Sequence, residues 1–310
     1  MRHVIALDVG GTGMKAALVG EDGALLHEAR RPTGRDRGPQ AVTGAVLEFA
    51  ADLYAHGMRE YGRGALAAGV VVPGIVDEAS GVAAYSANLG WTDLPLRDLV
   101  SARLDGLPVA LGHDVRAGGL AEGRLGAGRG ADRFLFLPLG TGIAGAIGIG
   151  GRIEAGAHGC AGEIGHIVVR PGGRVCGCGR RGCLEAYASA GAVSRTWAAA
   201  GGDPAADAAA CARAVAAGDP AAARVWQEAV DALADGLLTG LTLLDPRVVV
   251  VGGGLAAAGD TLFVPLRKAV EERLTFETLP LIVPAALGDT AGCLGAGLLA
   301  WDLITVEVDA

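Results

Sequence analysis

Apolar and polar positions along the first third of the chain alternate in short blocks. The apolar runs "HVIALDVG", "KAALVG" and "LAAGVVVPG" predict strands, and a helical pattern from about Pro39 to Tyr61 separates the second from the third. A short helix from Leu96 to Leu104 and the strand "PVALG" follow. Beyond Arg116 the pattern gives an Ala- and Gly-rich helix, the paired runs of "RFLFLPLGTGIAGAIGIGG", and a loop region to Cys183. An alanine-rich helical block to about Leu244 and the strand "RVVVVGGG" complete it. This alternation predicts α/β layers with partly parallel sheets.

The chain has 310 residues, 51% of them apolar, which is enough for two domains. No low-complexity linker separates them, so the boundary is expected inside ordered structure, near residue 115. Two segments share one design: "ALDVGGTGMKAALVG" and "LPLGTGIAGAIGIGG" are each an apolar strand, a Gly/Thr turn and a second apolar strand. Glycine in such turns lets backbone N–H groups approach an anion closely, which suggests two similar phosphate-binding lobes.

Charge narrows the function classes. The net charge is −8, and Arg30, Arg31, Arg35, Arg37, Arg180 and Arg181 are scattered, without aromatic neighbours to stack on bases. No nucleic-acid partner is expected. The N-terminus lacks a signal-peptide apolar region, so a cytoplasmic location is expected. Phe134 to Gly151 runs eighteen residues without a charge, but six are glycines, which predicts a turn between strands and no membrane segment.

Several glycine strings invite a nucleotide. Gly140 to Gly145 fits GxGxxG, and Gly252 to Ala257 fits the GxGxxA variant. A dinucleotide fingerprint requires a helix straight after the glycines. The residues after Gly145 have a strand pattern, and the second string lies close to the C-terminus, so NAD remains a minor alternative. "GGTGMKA" is not a Walker loop, because Ala16 follows Lys15. A nucleotide clasped between two lobes by hairpin turns is the arrangement left.

"LDVGGTGMK", "LGTGIAG", "AGEIGH", "CGCGRRGCLE" and "VVVGGGL", in this order, resemble the ROK family of sugar kinases, repressors and open-reading-frame proteins. The resemblance spans nearly the whole chain and implies the two-lobed actin-like ATPase (ribonuclease H-like) fold, with nucleotide and sugar in the interdomain cleft. Residues 1–115 would be the small lobe and 116–295 the large lobe, with a C-terminal helix at about 296–310 packing back on the first. Repressors of the family carry an added N-terminal helix-turn-helix. Here the first glycine-turn strand starts within five residues of Met1, as in the kinases.

By this resemblance Asp114 is the general base, and Asn88, His113, Asp114, Glu163, His166 and Glu185 contact the sugar. Asp114 also suits a helix N-cap. ATP would be held by Asp8, Gly10, Gly11, Thr12, Lys15, Gly140, Thr141, Gly142, Gly253 and Gly254, with Asp8 orienting Mg²⁺. The family usually has Asn where this chain has His113, which bears on sugar identity more than on reaction type. Glucose is the expected acceptor, with N-acetylmannosamine, mannose or another hexose as alternatives. Polyphosphate is an alternative donor, and a non-catalytic sugar-binding regulator is the competing reading. A homo-oligomer, dimer or tetramer, is expected from the family.

Clustered cysteines in a cytosolic chain are more often metal ligands or catalytic than disulfides. Three of the six cysteines fall in "CGCGRRGC", with His166 ten residues upstream of the first. Cys176, Cys178, Cys183 and His166 make the Cys₃His set that the resemblance assigns to structural Zn²⁺, and four protein ligands leave no position for water. Free surface thiols are the alternative. Cys160, Cys211 and Cys293 are expected to be small buried apolar residues.

Overall fold

A computed structural model describes residues 1–308, with side chains through residue 304. The chain forms two compact units. The first comprises Met1–Ala121, Ala155–Cys160 and the chain from Asp289 onward; the second comprises Glu122–Glu154 and Ala161–Gly288.

In the first unit, strands β1 (His3–Val9), β2 (Gly13–Gly20), β3 (Leu25–Pro32), β4 (Ala68–Val72) and β8 (Val109–His113) form one sheet, ordered β3-β2-β1-β4-β8. The first three are antiparallel; β4 and β8 run parallel to β1. The central strands β1 and β4 are buried almost throughout, as strands covered on both faces must be. One face carries α1 (Pro39–Tyr61), which starts with Pro39 in its first turn and ends on Gly62 in the left-handed region. A small sheet of β5 (Ile75–Asp77), β6 (Val82–Ser86) and β7 (Trp91–Leu94) precedes α2 (Leu96–Arg103). Helix α3 (Asp114–Arg124) follows β8 directly.

The C-terminal helix, α9 (Ala291–Val308), packs on β1, β4 and β8. Gly69 in β4 permits its approach, since a Cβ there would stand 1.8 Å from the Ala296 carbonyl oxygen. Of the helix expected at about 296–310, residues 309 and 310 lie outside the described residues.

The second unit holds β9 (Arg133–Pro138), β10 (Ala146–Ile149), β11 (Arg152–Glu154), β12 (Val248–Gly252) and β13 (Leu281–Pro284), ordered β11-β10-β9-β12-β13. As in the first unit, an antiparallel hairpin, β9–β10, is extended by a parallel strand, β12. Phe134 to Gly151 is therefore this hairpin, and among the described residues no helix is long and apolar enough to cross a membrane.

The alanine-rich block is not one helix. It is α4 (Glu185–Ala188), α5 (Ala190–Ala199), α6 (Ala208–Ala216) and α7 (Pro220–Leu244). Asp207 and Asp219 cap α6 and α7 by accepting backbone N–H bonds, and Pro220 occupies the first turn of α7. With α8 (Asp260–Glu271), these helices bury one face around Leu135, Leu184, Leu233 and Leu266.

Candidate functional site

The first unit places Asp8 at the end of β1, one strand away from Lys15, its cross-strand partner in β2. The Gly10–Gly13 turn closes between them with Gly10 N–H donating to the Gly13 carbonyl (3.0 Å). Thr33, just past the end of β3, fixes the turn, its hydroxyl donating to Gly10 O (2.6 Å) and its N–H to Thr12 O (3.1 Å). Gly11 lies against the side chain of Asn88, 3.4 Å from where a Cβ would stand. Thr12 and Asn88 are both exposed. The Lys15 ammonium donates to Asp289 O (2.7 Å) and lies 4.0 Å from Asp8 Oδ2.

Asp114 is the first residue of α3, so the base candidate sits at a helix start and not in a loop. Val115 N–H donates to its Oδ1 (2.7 Å), a bond at the helix start. Burial pushes its carboxyl above the ordinary range, against the pull of that N–H and of Arg116. His113 is buried, with Nδ1 3.5 Å from Asp114 Oδ1.

Asp8 is raised to about 6, first by burial and then by the charge of Asp114. The ionised form of Asp8 is thus disfavoured in the folded state. Between its ordinary value and about 6 the folded protein binds more protons than the unfolded chain, so stability falls as pH rises through that window. Asp8→Asn is expected to raise the thermal midpoint at pH 7.5 by roughly 2 °C. The gain should shrink as pH falls from 6 toward 4; calorimetry at both ends checks it. A lower midpoint at pH 7.5 would show that attraction to Lys15 outweighs burial.

In the second unit, the Gly140–Gly145 turn leads from β9 into β10, held by Gly140 N–H on Gly142 O (3.1 Å) and Ala190 N–H on Gly140 O (2.9 Å). Thr141 at its tip is exposed. The "GEIGH" segment is tied to this turn, since Gly145 N–H donates to Gly162 O (2.7 Å). Glu163 is exposed, with Oε2 3.9 Å from His166 Nε2. Glu185 heads α4, and its Oε2 accepts from Ile143 N–H (2.9 Å). A Cβ at Gly142 would stand 2.6 Å from that same oxygen, so glycine here makes room for the carboxylate.

The other nitrogen of His166, Nδ1, lies 3.6 Å from Cys176 Sγ, and Cys178 Sγ lies 3.7 Å from Cys183 Sγ. Those sulfurs are too far apart for a disulfide. The four ligand atoms lie within 4.8 Å of one another, a set able to hold one metal ion. Burial pushes the Cys183 thiol to about 12 and raises Cys176, whereas the Arg180 N–H lowers Cys178. Cys211 and Cys293 are buried as expected. Cys160 is not: it is exposed, in the 155–160 loop segment, so the expectation of a buried residue fails there.

After β12, Gly253 adopts φ 78°, and a Cβ would stand 2.5 Å from Leu139 O. Gly254 has open space instead and lines a cavity of about 330 Å³ with Ala212, Arg213, Trp226, Leu255 and Thr261. The residues that follow, Gly254–Ala258, form a short 3₁₀ helix and no α-helix, and β10 follows the first glycine string. Neither GxGxxG-type string therefore opens the helix a dinucleotide needs.

Sequence reasoning missed Asp289, which holds Lys15 from the far end of the chain, and Thr33. It also missed Glu78, whose carboxylate meets Arg116 (2.8 Å). No local pattern marks any of them.

Comparison with known proteins adds four findings. The family model described as "ROK family" matches residues 4–302. A glucokinase of Thermotoga maritima is 35% identical over 309 residues, 94% of this chain and 95% of that one. Among solved structures, a ROK hexokinase from Thermus thermophilus has TM-score 0.85 at 36% identity, covering 98% of this chain and 99% of that one. A ROK family glucokinase from Streptomyces griseus, in complex with glucose and AMPPNP, has TM-score 0.82 at 31% identity, covering 97% and 99%.

Proposed function

Because the chain belongs to the ROK family, whose solved sugar kinases share its fold, we propose that it is an ATP-dependent hexose kinase transferring the γ-phosphoryl group to the 6-hydroxyl of glucose. The observation that carries the reading is the carboxylate of Asp114 at the head of α3, raised above the ordinary aspartate range by burial, as suits a general base. The complex of the Streptomyces griseus glucokinase with glucose and AMPPNP supports the choice of acceptor and donor.

Asp114 accepts the proton of the attacking hydroxyl, while Asn88, His113, Glu163, His166 and Glu185 bind the sugar's other hydroxyls. A pocket built on such bonds rejects analogues that lack them, since its own polar groups would be left unpaired. The Gly10–Thr12 and Gly140–Gly142 turns, with Lys15, hold the phosphates by backbone and ammonium N–H groups. The cavity beside Gly254, walled by Leu255 and Trp226, takes the adenosine. Mg²⁺, when bound with the nucleotide, neutralises phosphate charge. Asp8, whose ionised form is disfavoured first by burial and then by the charge of Asp114, fits a cation and would hold it through water.

Zinc fits the cysteine cluster. Tetrahedral zinc with bonds of about 2.3 Å to sulfur and 2.0 Å to nitrogen needs edges of about 3.8 Å (S···S) and 3.5 Å (N···S). The observed 3.7 Å and 3.6 Å match them. His166 would bind through Nδ1 and leave Nε2 beside Glu163 for the sugar. A cytoplasmic homo-oligomer, dimer or tetramer, belongs to the same reading.

The test is a coupled ADP-release assay with Mg-ATP across hexoses and N-acetylhexosamines. Turnover is expected to be highest with glucose. A preference for N-acetylmannosamine or mannose would trace to His113 in place of the usual Asn. Silence across the panel would replace the kinase by a sugar-binding regulator.

A further inference from the structure

Arg116 is 6% exposed, in the first turn of the helix that Asp114 heads. Burying a guanidinium is unfavourable unless its donors are satisfied, so its partners show what it is for. Nε and Nη2 donate to Glu78 Oε1 (3.0 and 2.8 Å), and Nη1 donates to the Gly159 carbonyl (2.8 Å). Glu78 Oε1 also accepts the His113 N–H at 3.4 Å, and Arg116 N–H meets His113 Nδ1 at the same distance. Three groups thus meet Arg116, from the Glu78 turn after β5, the β8–α3 junction and the 155–160 segment.

Asp114's carboxylate is oriented within the junction itself, by the Val115 N–H on its Oδ1 (2.7 Å) and by His113 Nδ1 at 3.5 Å from the same oxygen. Where it stands depends on how the β8–α3 junction is anchored. We propose that Arg116, locked on Glu78, is a positioning residue that holds this junction, and with it the Asp114 carboxylate, in the geometry proton transfer needs. The inference rests on the kinase reading with Asp114 as base. A fork suits the task, because a planar guanidinium can reach a carboxylate and a carbonyl at once and a lysine ammonium cannot fix both directions.

The experiment compares Arg116→Met, Arg116→Lys and Glu78→Gln with wild type for kcat, for KM of glucose and of ATP, and for thermal midpoint. Methionine keeps the apolar stem and removes the fork. Ångström-scale misplacement of a catalytic group costs on the order of 100-fold, so Arg116→Met should lower kcat by about that factor. KM for ATP should stay within about threefold, because nucleotide contacts are untouched. Arg116→Lys should recover roughly tenfold of the loss, since it keeps the charge on Glu78.

A role in stability alone predicts a lower midpoint with kcat of the folded protein within about threefold of wild type, and that result overturns the inference. Should Arg116→Met not fold, Glu78→Gln decides by the same split: kcat about tenfold down at constant ATP KM supports it, and unchanged kcat overturns it. An inactive wild type would sink the kinase reading, and this inference with it. An active wild type beside unaffected variants would sink this inference alone.

Discussion

Asp114→Asn is expected to lower kcat by about 10²- to 10⁴-fold, the usual worth of a general base, with little change in fold. Asparagine has nearly the shape of aspartate, and its side-chain oxygen can still accept the Val115 N–H that now meets Oδ1. What it loses is the ability to accept a proton. KM for glucose should rise modestly, because one sugar contact weakens without leaving a cavity. Burial raises the Asp114 carboxyl, so the acid limb of kcat/KM should lie above the ordinary aspartate range: activity falls as pH drops through the folded value, where the base becomes protonated. In the variant that limb should vanish from the residual rate. Rate measurements from pH 4 to 8 on both proteins check each point, and wild-type turnover by Asp114→Asn would remove Asp114 as base.

Much of this architecture was legible because the signals were local. Both hairpins announce themselves as apolar run, glycine turn and apolar run, and they fold as β1–β2 and β9–β10. Helix α1 was legible end to end from its periodicity, with Pro39 and Gly62 at its limits. The small β5-β6-β7 sheet was not, since strands of three to five residues with exposed positions give no readable alternation. The helical block up to Leu244 was legible as helical, because alanine favours helix everywhere, but its division was not: the breaks lie at the Ser189, Asp207 and Asp219 caps.

The candidate site divides the same way. Asp8, the glycine turns and the cysteine cluster sit in short motifs. The cluster's four ligands fall within eighteen residues, and the family resemblance named the set. Arg116 reaches Glu78 and Gly159 across 38 and 43 residues, and Lys15 reaches Asp289 across 274, separations no motif can encode. The motifs name the groups that meet substrate; the long-range pairs decide how firmly those groups are held.

The cysteine cluster bears on the second large effect. Purified without chelator, the protein is expected to carry one zinc per chain by elemental analysis, and Cys183→Ser to carry little. Cys183 is fully buried and bridges to Val168, with its sulfur 3.7 Å from Cys178 Sγ. Without the fourth ligand, His166, Cys176 and Cys178 lose their common anchor. Because this unit also has a large core of its own, the cost should be several kcal/mol, a part of the 10–16 kcal/mol or so that zinc gives domains it alone folds. For a chain of this size that is a drop of about 10 °C in thermal midpoint. The damage should be directional. Glu185 lies two residues beyond Cys183 and binds the Ile143 N–H, and His166 shares its ring with Glu163. KM for glucose should therefore rise by about tenfold or more while KM for ATP moves less. Cys160→Ser, exposed and outside the cluster, should match wild type in zinc content, midpoint and both KM values. Equal behaviour of the two variants would mean that the cluster holds no metal of consequence, and that Glu185 and His166 are placed by the hydrogen bonds of the loop alone.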